Sequence, residues 1–183
     1  MDANTKKRLT IEPFPCHHPE IGRWLWAIQD IRNRTLEILP DLTQAQIDWQ
    51  PSQGESSIGS VLYHIADIEA DWLYVEVLEQ EFPAPIAALF PYPTRDEHGR
   101  LTHVQGFTLT EHLQRLETVR ERLLETYREI SIDDYRRPRS LPSYDVSPEW
   151  VLHHLMHHEA QHFGQIGSLI TRMQAELSVP EIA

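Results

Sequence analysis

The chain has 183 residues and a formal net charge of −12, from 28 acidic and 16 basic residues. That length fits a single domain over 1–183 with a core of its own. The acidic balance, with no clustered Lys/Arg stripe, argues against nucleic acid as a partner. The longest apolar run, Ile86–Phe90, is far below the ~20 residues that span a bilayer, so no membrane partner is expected. The N-terminal stretch lacks the apolar segment of a secretion signal. A single cysteine, Cys16, leaves no disulfide framework. The expectation is a cytoplasmic protein. Histidine is the one excess: there are eleven, five of them between His153 and His162.

Only seven glycines and several long periodic segments point to an all-α fold. The first segment covers about 20–39. Pro19 suits the first helical position, Leu25, Ile28, Leu36 and Leu39 form its stripe, and Pro40 ends it. A short helical turn is expected after Thr43. The second covers about 57–80, with Val61, Ile68, Trp72, Val75 and Leu78 on one face and Pro83 and Pro85 beyond its end. A proline-rich connection follows. At roughly 25 residues it is longer than most unstructured loops, which predicts a crossover or part of a site wall.

The third segment, about 109–130, opens on a capping box of Thr108 and Glu111, with Leu113, Leu116, Leu123 and Tyr127 on its core face. The fourth, about 148–175, opens on Ser147 and Pro148, a cap followed by proline. Four such helices predict a four-helix bundle. Short first and third connections suit antiparallel neighbours, and the long second one lets the middle helices run parallel. An up-down-down-up order fits, although spacing alone does not force it.

On a helical wheel of the fourth segment, His158 and His162 fall inside the apolar stripe with Val151, Leu155 and Leu169. His154 and Gln165 border that stripe, whereas His153 and His157 point away from it. Two histidines one turn apart on a buried face can aim ring nitrogens at one point, as in metal-binding helices. The competing reading is two core histidines with hydrogen-bonded rings. His64, in the stripe of the second helix between Val61 and Ile68, would supply a third ligand. Three imidazoles leave an open metal position, whereas three buried rings without a metal all need other partners. A metal is the better account.

Glu159, in the string HEAQH, matches the general base of zinc peptidases, but a glutamate ligand downstream would have to be Glu176 or Glu181, near the chain's end. Glu159 is therefore either a base near the metal or a rim residue in an ion pair. Arg32 and Arg120 also lie in apolar stripes, and Asp71 lies beside His64. Buried charges persist when paired or functional. The alternatives are an internal pair, such as Asp71 with an arginine, and arginines that bind an anionic substrate. Asp71 could also orient a ligand imidazole. Gly164 and Gly167, on the far face of the fourth helix, hint at close helix packing. Cys16 with His17 and His18 makes a poor second cluster, being an extended segment before Pro19.

The segments Leu42–Leu73, with its single His64, and His157–Ile166, with His158, His162, Gly164 and Gln165, resemble the DinB/YfiT-like superfamily of bacterial metal-binding four-helix bundles. The likeness runs over roughly 20–175. It implies an up-down-down-up bundle, frequent homodimers, and a divalent transition metal, zinc or nickel, on His64, His158 and His162. Members of that superfamily include S-transferases using a low-molecular-weight thiol, a thiol-dependent isomerase and metal-dependent hydrolases. The implied function is a metal-dependent enzyme on a small molecule, thiol transferase-like or hydrolase-like. The alternative is a non-catalytic, metal-stabilised dimeric binding module.

Overall fold

The computed structural model describes residues 6, 8–39, 41–52 and 54–177. Its framework is all-α: helices α1 (Pro19–Glu37), α2 (Gln44–Asp48), α3 (Ile58–Asp71), α4 (Ala84–Ala87), α5 (Leu109–Glu129), α6 (Ile132–Arg136) and α7 (Pro148–Leu177). A two-residue antiparallel hairpin, β1 (Arg139–Ser140) with β2 (Asp145–Val146), precedes α7. Pro40, expected to end the first helix, lies outside the described residues. No described helix is long and apolar enough to cross a membrane.

The helix starts follow local chemistry. Ser57 Oγ accepts from Ser60 N at 3.1 Å, and Ser147 Oγ accepts from Trp150 N at 3.2 Å. Thr108 and Glu111 exchange reciprocal bonds, Thr108 N to Glu111 Oε2 at 2.6 Å and Glu111 N to Thr108 Oγ1 at 3.3 Å. Each supplies an acceptor to amides that have no partner inside the helix. Gly22 is required by a close approach. A Cβ there would lie 2.4 Å from the Phe14 carbonyl oxygen, where the N-terminal strand of chain crosses α1. Gly164 and Gly167 face open space, so the close packing they hinted at does not occur among the described residues.

The long helices pack in pairs: α3 lies against α5 and α7, and α1 lies against α7 and α5. Their apolar faces form two core clusters. One holds Leu25, Ile28, Leu73, Leu123, Tyr127 and Val151. The other holds Ile58, Val61, Leu62, Leu116 and Ile166. Between them in helical order sit four buried charges, one from each long helix: Arg32, Glu69, Arg120 and Glu159.

The second expected helix is not α-helical to its end. Residues Trp72–Val77 form a π-helical turn, with Leu78 N bonded to Leu73 O at 3.0 Å, five residues back. A π turn advances the register relative to a 3.6-residue period. Val75, expected in the core stripe, is therefore 38% exposed, while Glu76 is turned inward and is 4% exposed.

The long connection is bound to the outer side of α3. Tyr63 Oη donates to Tyr92 O at 2.8 Å, Thr94 Oγ1 to Asp67 Oδ2 at 2.5 Å, and Val104 N to Ser60 Oγ at 2.9 Å. Proline-rich chain thus becomes a wall over the helix that carries His64.

Candidate metal centre

Helix α3 supplies His64 and α7 supplies His158 and His162. Their ligand-type nitrogens all lie within 4.8 Å of one another. His158 Nε2 is 3.1 Å from His64 Nε2 and 3.1 Å from His162 Nε2. The four-residue spacing stacks the two α7 rings one turn apart, and the α3–α7 contact brings in the third.

Burial first, and then the neighbouring rings, pushes His64 down to about 4 and His158 down to about 3. His162 is lowered too, chiefly by burial, against the Gln165 hydrogen bond and the Glu159 charge. Arg95, an exposed side chain of the long connection, adds a positive charge that opposes protonation of all three. All three rings are therefore neutral near pH 7, the protonation state a metal ligand requires.

Gln165 fixes one tautomer. Its Oε1 lies 2.8 Å from His162 Nδ1, and a carbonyl oxygen can only accept, so Nδ1 carries the hydrogen and the Nε2 lone pair points at the cluster. In the same packing His64 Nδ1 is buried without a hydrogen-bond partner among the described residues. Three neutral imidazoles, with a lone pair directed inward by a carbonyl partner, fit a borderline-soft divalent metal. Asp71 forms no pair with Arg32 or Arg120 in this arrangement, because both arginines bond to glutamates.

Glu159, Arg32 and Arg120 are not in this centre. Arg32 Nε donates to Glu159 Oε1 at 2.6 Å, and Arg120 Nη2 donates to Glu159 Oε2 at 3.0 Å. Arg32 Nη2 and Arg120 Nε reach the two oxygens of Glu69 at 2.7 and 2.6 Å. The remaining guanidinium bonds go to backbone, Arg32 Nη1 to Leu116 O at 3.1 Å and Arg120 Nη1 to Ile28 O at 2.7 Å. Burial raises Glu69, but Arg120 and Arg32 outweigh it and hold the carboxylate below its usual range. Of the alternatives for Arg32, Arg120 and Glu159, the structure holds the internal ion pairs, formed with Glu69 rather than Asp71. Two positive and two negative charges neutralise one another inside the core. A cavity of about 460 Å³ borders the two arginines, but their donors already face glutamates and carbonyls.

Glu69, the fourth member, was missed in the sequence although it falls between Ile65 and Leu62 on the wheel. Arg95 was missed because a loop has no periodicity to place it. Glu176 accepts a bond from Trp49 Nε1 at 3.4 Å, and Glu181 lies outside the described residues. His153 and His157 are exposed, and Cys16 donates its thiol hydrogen to the His18 carbonyl at 3.0 Å.

The fold and site together are an all-α chain in which two long helices bring three histidines into position to hold a metal ion. The sequence pattern of the DinB superfamily matches residues 27–166, and the chain belongs to that superfamily. That match spans all three histidines. No curated protein matches the chain.

Proposed function

We propose that this protein is a metal-dependent enzyme acting on a small molecule, with His64, His158 and His162 as ligands of one divalent transition metal, zinc or nickel. The observation that carries this reading is the convergence of three neutral ring nitrogens, one oriented by Gln165. Bound there, the metal supplies Lewis acidity, lowering the pKa of a water or a low-molecular-weight thiol for hydrolase-like or thiol transferase-like chemistry. The chain's own residues cover the outer side of α3, the helix that carries His64. The Tyr92–Val104 stretch is bonded across Tyr63, Asp67 and Ser60. Arg95, rather than Arg32 or Arg120, is the cation near the histidines and the candidate for an anionic group of substrate.

The architecture proposed with this function is one domain, an up-down-down-up four-helix bundle that assembles as a cytoplasmic homodimer. The open face around Gly164 and Gly167 is available for that contact. Thiol dependence separates the two chemistries. Turnover by the metal-loaded protein that requires added thiol supports the transferase version, and equal turnover without thiol overturns it.

A second reading is a metal-stabilised binding module without catalysis. It is favoured by the commitment of Glu159, the acid of the HEAQH string, to two arginines. Under that reading His158→Ala lowers melting temperature and metal content with no turnover to lose.

A further inference from the structure

Toward the N-terminal end of α7 the groove beside the histidines becomes aromatic. The His154 ring stacks on His158, with centroids 5.8 Å apart, and lies 4.3 Å from the Trp72 ring. It also stacks on Trp150 at 5.1 Å, nearly parallel at 9°. Trp72 in turn faces Trp150 at 5.3 Å and Tyr144 at 6.2 Å. Trp72, Tyr144 and Trp150 line a cavity of about 580 Å³ between the β1–β2 hairpin and the start of α7. Trp150 is 46% exposed at its mouth. The aromatic row therefore connects an open cavity to a ligand-type histidine without a break.

The charge beside these rings is negative. The π turn brings Glu76 inward, where Oε1 accepts the Tyr144 hydroxyl at 2.8 Å and Oε2 has no hydrogen-bond partner among the described residues. Asp71, half-buried at the end of α3, interacts electrostatically with both Glu76 and Tyr144. Burial is the leading cause raising both carboxyls, as expected where no cation among the described residues pairs with them. Arg136 also borders the cavity, but its guanidinium bonds to both oxygens of Glu20, at 2.8 and 2.7 Å. A regular α-helix would have left Glu76 outside. Glu76 lies behind the cavity wall rather than on it, and its negative charge reaches the cavity through Tyr144, whose hydroxyl it accepts.

We infer that the Trp72–Tyr144–Trp150 cavity, backed by Glu76 and Asp71, binds an organic cation, a quaternary or protonated amine carried by the small-molecule substrate. Indole and phenol faces attract such cations through their ring quadrupoles, and a desolvated carboxylate behind them adds charge complementarity. Two turns of α7 separate Trp150 from His158, so the cationic end of the substrate sits about 12 Å from the histidine cluster. This assignment deepens the proposed function and rests on it for the identity of the reacting end.

The test uses the full chain, metal-free and zinc-loaded, with choline as the probe and 3,3-dimethylbutan-1-ol as its uncharged isostere. Binding is read by tryptophan fluorescence and by ligand-observed NMR. The expected result is saturable choline binding in both forms, at least about fivefold tighter than the isostere. Glu76→Gln and Trp150→Leu each weaken it by about fivefold or more. Trp150 is surface-exposed, so its variant keeps the test decisive if Glu76→Gln fails to fold. Equal binding of the isostere, no saturable choline binding, or full affinity in the folded variants overturns the inference. Metal content measured on the same samples keeps the two claims apart. Choline selectivity in a chain that takes up no metal on reconstitution overturns the proposed function alone, and metal uptake without cation selectivity overturns this inference alone.

Discussion

Replacing Glu159 with glutamine removes one of the two anions that neutralise Arg32 and Arg120 in the core. The amide keeps the volume but leaves a net positive charge among four side chains that are all at least 95% buried. Three charge-assisted bonds weaken together, from Arg32 Nε and Nη2 and from Arg120 Nη2, at 2.6, 3.2 and 3.0 Å. Breaking one partner of a buried pair typically costs about 3–5 kcal/mol. For a chain of this length that lowers the melting temperature by roughly 6–20 °C. Urea and thermal unfolding at pH 7 read this directly, and elemental analysis of the same variant follows the metal. The account predicts a large stability loss with metal content retained. A variant as stable as the parent but devoid of activity would refute the reasoning and return Glu159 to the reaction. Replacing all four members together with Met and Leu should destabilise far less than Glu159→Gln alone, because no uncompensated charge remains.

Gln165→Ala removes the carbonyl that holds the His162 tautomer and should weaken metal binding about 10–100-fold in a chelator competition; unchanged affinity would contradict the assigned orientation. The metal-free protein should lose stability as pH falls. His64 and His158 are depressed to about 4 and about 3, so below their unfolded pKa of about 6.5 the unfolded chain binds more protons than the folded one. Their contribution is complete above about pH 6.5 and is lost on acidification toward pH 3, on the order of 3 kcal/mol for His64. A urea midpoint that stays flat from pH 7 to pH 4.5 would contradict it. The π turn is tested by a pair of substitutions. Val75→Lys should change stability by less than about 0.5 kcal/mol, and Leu73→Ala should cost about 2–5 kcal/mol. The opposite order would indicate a regular α-helical register.

The long helices were legible because their ends carry local chemistry, Pro19, Ser57, Thr108 and Ser147, and their faces carry a 3.6-residue period. The histidine cluster was legible for the same reason: two rings one turn apart in a stripe, and one ring in a second stripe. The period itself hid the π turn, since assuming 3.6 residues throughout puts Val75 inside and leaves Glu76 out. The arginines stood out as charges within apolar stripes, but a stripe does not say what faces it. Their partners lie 37 to 127 residues away in the chain, and only packing of all four helices reveals that the charges neutralise one another. Arg95 and Tyr144 reach their places through loops, whose positions depend on hydrogen bonds such as Tyr63 to Tyr92 rather than on any repeating pattern.

The central claim is that His64, His158 and His162 hold a metal. Elemental analysis of protein prepared without a histidine tag, before and after reconstitution, tests it most directly, with His64→Ala and His162→Ala measured alongside. The account predicts about one equivalent of a divalent transition metal per chain, lost in both variants while they remain helical. Less than about a tenth of an equivalent in the parent after reconstitution, or undiminished metal in the variants, would contradict it.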